Sequence, residues 1–549
     1  MRLINTKTYE LHEFFGDQIP AYAILSHTWS DREITFGDWA DRAASGKDYQ
    51  KIRKTCQLAS RQGYDYVWVD TNCIDKSSSA ELTEAINSMF MWYKMAKICY
   101  AYLVDVPLAE GEVLSKHLAR SRWFTRGWTL QELLAPREIE FYSHDWVLLG
   151  TKDSLCSGIS SITGIADRYI SQKFIGDRYF SGDFVVRSVQ YAASITEASV
   201  AERLSWLSRR TTTRAEDMAY CILGIFDINM PLLYGEGPKA FIRLQEEIMK
   251  VLNDSSLFCW TRKLSPYMDF LSPSPSCFQD CSHFIPGQRD LRPTPYFMTN
   301  AGLSMTLPVL RCWSSHHFIG ILQVESSEGH KTFGVPMAGD LSSGKVCRTS
   351  YPPIPIPLSS KISTKKRFNV FISENYSPIR SVLSQIAYPC QSAVLLTFEP
   401  LDSLLDISTF PLDRFSMQKS ILEISVIPYL SDQQINPLRS LDGLSEGVLV
   451  DLTIKPGKKE ALIISSRETA TSWKWHTFWV PPEDAFELQL GEATPELAQA
   501  EKAIQDGGYP KNQELEKSCS VSAEISEEYR LLGGVAVIHI HLCIASQPS

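Results

Sequence analysis

Two residues in the stretch "SRWFTRGWTLQELLAP" (Ser121–Pro136), Trp128 and Glu132, stand four apart. Helical spacing puts them on one face, while Leu130, Leu133 and Leu134 share the opposite one. Thr125 fits the cap of this helix and Pro136 its end. A solvated carboxylate that complements the dipole of the first turns is the plain account of Glu132. The chemical account starts from Trp128, whose ring is unfavourable to leave in water. Covering it desolvates Glu132 in part and raises its pKa. A carboxylate in a partly apolar crevice stabilises a developing cation or acts as a general base.

Other chemistry-bearing residues fall just past apolar runs: Ser26 and His27 after "YAIL", Asp70 to Cys73 after "YVWV", and Asp105 after "AYLV". A Ser-His-Asp hydrolase built on Ser26, His27 and Asp70 lacks the G-x-S-x-G elbow, and neighbouring strand residues point to opposite faces. Cys73 with His27 offers a thiol nucleophile, against a simpler reading of Cys73 as a small residue near a strand end. "GDLSSGKV" (Gly339–Val346) nearly matches a phosphate-binding loop. It ends in Val346 where a hydroxyl is needed, and a proline-rich loop follows instead of a helix. Cys277, Cys281 and His283 offer three zinc ligands without a fourth at the usual spacing, and no metal site is expected. His316-His317 and His539-x-His541 read as strand residues.

These groups need elements to hold them. "YAILSHTW" and "YDYVWVDTNCI" (Tyr64–Ile74) read as strands, as do "ICYAYLVDV" and "EIEFYSHDW". Between them, Tyr49–Gly63 carries Ile52, Cys56 and Ala59 at helical spacing, with Gly63 placed to close the helix. Ala80–Lys97 carries Leu82, Ile86, Met89, Phe90 and Tyr93 on one face. This alternation predicts a parallel sheet covered by helices, with ligands bound outside the carboxyl ends of its strands.

Residues 151–260 read as helical. Thr213 and Glu216 match a capping box before the stripe Met218, Cys221, Ile222 and Ile225. Phe241, Leu244, Ile248 and Val251 form a second stripe after Pro238. From 261 to 549, short alternating runs punctuated by proline and serine predict a β-rich domain, a sandwich or barrel. The domain reading is therefore 1–150, 151–260 and 261–549.

A chain of 549 residues exceeds one ordinary core. A net charge of −9 gives no support for nucleic-acid binding. The clusters Arg203, Arg209, Arg210, Arg214 and Lys365-Lys366-Arg367 read as solvated or ion-paired faces. No run reaches the roughly 18 apolar residues of a membrane helix, and the N-terminus does not read as a signal peptide. The 13 cysteines are dispersed within apolar patterns, as in reduced core thiols of a cytosolic protein.

Four stretches together carry a family resemblance: "YAILSHTW", "YVWVDTNCIDKSSSAELTEAINSMFMWY", "RGWTLQELLAP" and "SWLSRRTTTRAEDMAYCILGIFDINMPLLYGEGPKAFIRLQEEI". They resemble the HET (heterokaryon incompatibility) domain proteins of filamentous fungi, in the HET-E-like subgroup, over roughly residues 20 to 260. The chain departs from that pattern at Ser30, usually Gly, and at Asn72, usually Cys. No NACHT module or WD40 repeats, as longer relatives carry, are read in these 549 residues. The resemblance implies non-self recognition and programmed cell death, as a form of innate immunity, with the domain working as a death-signalling module through protein partners or self-association. It also implies a remote relation to TIR domains, hence a flavodoxin-like α/β sheet. The TIR pattern aligns Arg126–Leu133 with the segment that holds the glutamate for NAD cleavage. By that match Glu132 is the candidate catalytic carboxylate of an NAD glycohydrolase. Trp128 would wall the pocket, and Ser26, His27 and Asp70 would contact ribose or phosphates. NAD is then a substrate, and no cofactor is implied.

Overall fold

All five residues of the strand Ala23–His27 are buried, so both of its faces are covered. The computed structural model describes residues 1–30, 33–40, 49–171, 193–261 and 267–287 apart from 269. It also describes the short strands at 180–181 and 184–185 and, beyond 287, mainly the strands between 295 and 544. Two compact units divide the chain: Met1–Leu252 with Ser272–Ser282, and Asn253–Leu271 with His283–Ser549.

The first unit is built on a sheet of β1 (Arg2–Asn5), β2 (Leu11–Glu13), β3 (Ala23–His27), β4 (Tyr66–Trp68), β5 (Ile98–Tyr102), β6 (Ile139–Tyr142) and β7 (Leu148–Thr151). Their order is β2-β1-β4-β3-β5-β6-β7. The central four are parallel, with Ala23 beside both Val67 and Ile98, and Cys99 beside Ile139. The outer strands β1, β2 and β7 pair antiparallel. The chain moves from β3 outward to β4, then crosses back over β3 to β5. The direction of winding therefore reverses between β3 and β5, where open sheets leave a crevice at their carboxyl ends.

Helices follow β3, β4 and β5: α1 (Gln50–Arg61), α2 (Asp70–Cys73), α3 (Ser79–Met95), α4 (Gly111–Arg120) and α5 (Thr129–Leu134). Ser78 caps α3 by accepting from the Glu81 N–H, and the helix buries Ile86, Met89, Phe90 and Tyr93. Gly63, with φ +87, ends the turn after α1, as its position in the sequence suggests. The expected strand Tyr64–Ile74 is shorter. It stops at Trp68, and Asp70–Cys73 coils into α2, which puts Asp70 at the strand's carboxyl end.

The rest of this unit is helical: α6 (Cys156–Thr163), α7 (Asp167–Ile170), α8 (Val200–Ser205), α9 (Asp217–Tyr220) and α10 (Lys239–Val251). In α10 Phe241, Leu244 and Ile248 are buried, whereas Val251 is exposed. The capping box expected at Thr213 does not form. Thr213 accepts from Arg126, and the Glu216 carboxylate instead accepts from the N–H groups of Gly235 (2.8 Å) and Gly237 (3.0 Å).

The second unit is β-rich. One sheet runs through Gly302–Arg311, His317–Ser326 and Thr332–Asp340. Two further sheets share one core, in which Leu396 and Ile540 of one meet Ile407, Val450 and Leu462 of the other. The near-match to a phosphate loop is a hairpin joining Thr332–Asp340 to Lys345–Thr349. His539 and His541 lie on the strand Ala536–Ile544, both buried against the Thr397 hydroxyl at 2.6 and 2.7 Å. Among the described residues, no helix is long and apolar enough to cross a membrane, and no cluster of His, Cys, Asp or Glu is placed to hold a metal ion.

Candidate functional site

The Ser26 side chain stands at the carboxyl end of β3, beside Ala101 of β5. Its hydroxyl donates to Glu132 Oε2, and it accepts from the Trp123 indole N–H at 2.7 Å. Serine, carboxyl and indole therefore form one buried chain where the winding of the sheet reverses. Tyr93, on α3, closes the other side. Its hydroxyl donates to the Leu25 carbonyl at 3.0 Å and is also hydrogen-bonded to Glu132.

Burial, not these hydrogen bonds, favours a proton on Glu132. Glu132 is 7% exposed, and desolvation pushes its carboxyl up to about 8, helped by the negative charge of Asp70. The Ser26 and Tyr93 hydrogen bonds and the charge of Arg126 act in the opposite direction.

The short helix α5 differs from the amphipathic helix expected. It starts at Thr129, after a separate 3₁₀ turn at Arg122–Thr125, and all six of its residues are buried. No solvated face remains for Glu132, so the plain account of a surface carboxylate is overturned. Trp128 is half-buried at the start of the helix, and its indole bonds the Asp217 carboxylate. The indole that touches the Ser26–Glu132 pair belongs to Trp123. Sequence spacing singled out Trp128 because a four-residue interval presumes a helix that in fact begins one residue later.

A charged rim lies beyond. Asp70 Oδ2 accepts from Trp29 Nε1 at 2.9 Å and from Lys76 Nζ at 3.5 Å, and the Lys76 ammonium sits 3.5 Å from the centre of the Trp29 ring. His27 is buried, with Nε2 3.6 Å from Glu33 and 4.0 Å from Asp70, both too long for hydrogen bonds. Burial, with the charge of Lys51, pushes its imidazole below the ordinary histidine range, so it is neutral at pH 7. Lys51 pairs with Glu33 and favours its ionised form. The structure thus brings Ser26 to Glu132 directly and places His27 and Asp70 together on the adjoining rim.

Cys73 is not placed for nucleophilic chemistry. Its sulfur accepts from the Val69 N–H at 3.4 Å, and burial pushes the thiol up to about 12. The basic cluster of the helical region is also corrected. Arg203 and Arg210 are buried and donate to main-chain carbonyls, not to solvent. Arg210 Nη1 reaches the Arg126 carbonyl (2.9 Å) and Thr129 Oγ1 (3.0 Å). Sequence reasoning missed Trp123, Tyr93 and Arg210. Tyr93 was legible only as part of an apolar stripe, and Arg210 only as one of a basic cluster, because its acceptors, the Arg126 carbonyl and the Thr129 hydroxyl, carry no charge.

Comparison with known proteins adds a family. Residues 22–113 match the family described as Heterokaryon incompatibility protein (HET), and residues 239–286 match a Domain of unknown function (DUF8212). The vegetative incompatibility protein HET-E-1 of Podospora anserina is 44% identical over 242 residues. That alignment covers 42% of this chain and 16% of the relative, so the chain spans only a small part of that protein's length. No solved structure matches the chain.

Proposed function

We propose that this chain, which carries a HET domain and is HET-E-like across it, is a heterokaryon incompatibility effector acting in fungal non-self recognition and the cell death that follows. Within that role, the site geometry best supports cleavage of NAD between nicotinamide and ribose. One observation carries this reading: the Ser26–Glu132 pair, buried at the strand ends where the sheet's winding reverses. The order of the parallel strands, β4-β3-β5-β6, is that of flavodoxin-like sheets and supports the TIR-like reading.

The chemistry needs no acid. Nicotinamide leaves a cationic ring as a neutral molecule and takes the electron pair of the broken carbon–nitrogen bond. The remaining ribosyl cation needs negative charge beside it. Glu132 supplies that charge once its proton is lost, and the approaching nicotinamide cation favours the loss. Water then adds to the ribosyl carbon and releases one proton, giving nicotinamide and ADP-ribose. Ser26 holds the carboxylate in place. Asp70 and His27, on the rim, would accept from ribose hydroxyls, since an anionic pyrophosphate beside Asp70 is electrostatically unfavourable.

A second reading treats the domain as a death-signalling interaction module that works through protein partners or self-association. The 7% exposure of Glu132 favours it, since so closed a carboxyl suits a structural hydrogen bond. Incubating the purified chain with NAD, free and clustered, beside Glu132→Ala separates the two. The enzyme reading expects nicotinamide from the wild type only. No release from the clustered wild type overturns it. Toxicity on expression that survives Glu132→Gln supports the module.

A further inference from the structure

The turn that leads into α5 is held from residues about 80 positions later in the chain. The Gly127 N–H donates to the Thr211 carbonyl at 2.8 Å, and the Thr211 N–H donates to the Thr125 carbonyl at 2.7 Å. Gly127 fits because it has no side chain. A Cβ there would lie 2.5 Å from Thr212 Cγ2 and 3.1 Å from Cys221 Sγ. Between these contacts the Arg210 guanidinium donates to the Arg126 carbonyl and to Thr129 Oγ1, and the Thr129 hydroxyl in turn bonds the Trp123 carbonyl. Trp123 is the residue whose indole N–H bonds Ser26. Arg210 is 4% exposed, and its Nη2 has no hydrogen-bond partner.

An arginine is buried at this depth only where its geometry is needed. We infer that Arg210 is a positioning residue for Glu132: from the helical region it clamps the turn at 126–129 and so fixes where the carboxyl meets Ser26. This rests on the reading of Glu132 as the working carboxylate. It makes the helical region an obligatory part of a site that the HET-matched span, residues 22–113, does not contain. The guanidinium also brings a buried positive charge near Glu132, which favours the ionised carboxylate.

The test uses the full chain with Arg210→Met, Arg210→Gln, Arg210→Lys and Thr129→Val, reading nicotinamide release from NAD across pH and melting temperature across pH. Arg210→Met is expected to lower kcat on the order of 100-fold with little change in KM, as displacement of a catalytic group does. It should also move the acid limb of the pH profile upward, because the cation is gone. Arg210→Lys should keep the limb and lose part of kcat, since an ammonium cannot span both acceptors. Thr129→Val should lower kcat and leave the limb in place. A folded Arg210→Met with wild-type kcat and limb overturns the inference. If Arg210→Met does not fold, wild-type kcat in both Arg210→Lys and Thr129→Val overturns it. If the wild type itself releases no nicotinamide, the enzyme reading falls. The melting curves then decide the positioning role, and a pH dependence unchanged in Arg210→Met, or in Arg210→Gln where the Met variant is unfolded, overturns it.

Discussion

The Ser26 hydroxyl donates to the Glu132 carboxyl across 106 positions of sequence, in a buried niche closed by Trp123 and Tyr93. A carboxyl held this way is protonated at neutral pH yet aimed at a serine at the end of a central strand. Its consequences are measurable in activity, stability and reactivity.

The pH dependence of catalysis follows from the proton on Glu132. The working form is the carboxylate, and burial pushes its pKa up to about 8 in the free protein. The value of kcat/KM for NAD is therefore expected to climb as pH rises from 6 through 8 and to level above about 9. A profile already flat at pH 6 contradicts the role given to Glu132.

Stability should move the other way. Between the ordinary carboxyl range and about 8, the folded chain holds a proton that the unfolded chain has released. Folding is thus progressively disfavoured as pH rises through that window, by on the order of 5 kcal/mol in all. Glu132→Gln, which cannot ionise, should flatten this slope and melt higher than the wild type at pH 8. Equal slopes in differential scanning fluorimetry would remove the buried-proton account.

Ser26→Ala removes a donor to Glu132 and the acceptor of the Trp123 indole at once. The indole N–H is left buried without a partner, which destabilises the fold by roughly 1–3 kcal/mol. Glu132 loses a bond to its ionised form, so the acid limb of the activity profile should shift to higher pH. Urea unfolding and a pH series on the same preparation check both halves.

Cys73 should behave as a core thiol. With its pKa pushed up to about 12 and its sulfur facing the Val69 N–H, it should resist iodoacetamide in the folded chain at pH 7.5 and react after unfolding. Cys73→Ala should keep NAD cleavage. Loss of cleavage, with a normal melt, would return the thiol to the list of nucleophiles.

Gly224 tests the packing behind α3. A Cβ there would lie 2.0 Å from Phe90 Cβ, close to the backbone of the helix that carries Tyr93. Gly224→Ala should destabilise the fold by about 1–3 kcal/mol and weaken any activity through displaced Tyr93. An unchanged melting temperature would show that α3 gives way without consequence.

Periodicity and composition alone determined much of the architecture. Apolar runs of strand type marked β3 to β6, and stripes at helical spacing marked α1, α3 and α10, because both signals are local. The alternation of these elements implied the parallel core of the first sheet and, beyond residue 260, the turn-punctuated runs implied a β-rich half. Ser26, His27, Asp70 and Glu132 were legible as candidates because they follow strand ends or stand beside an aromatic. Their relationship was not. Which strand neighbours which, and so where the winding reverses, depends on long-range pairing that no local pattern encodes. The same holds for α5, whose six residues are all buried because Glu132 turns to Ser26 and Tyr93 while Arg210 of the helical region reaches Thr129. Trp123, Tyr93 and Arg210 entered the site only through tertiary packing. Their partners are a hydroxyl 97 residues away, a strand carbonyl and the backbone of a turn, and hydrogen bonds of that kind leave no trace in the order of residues.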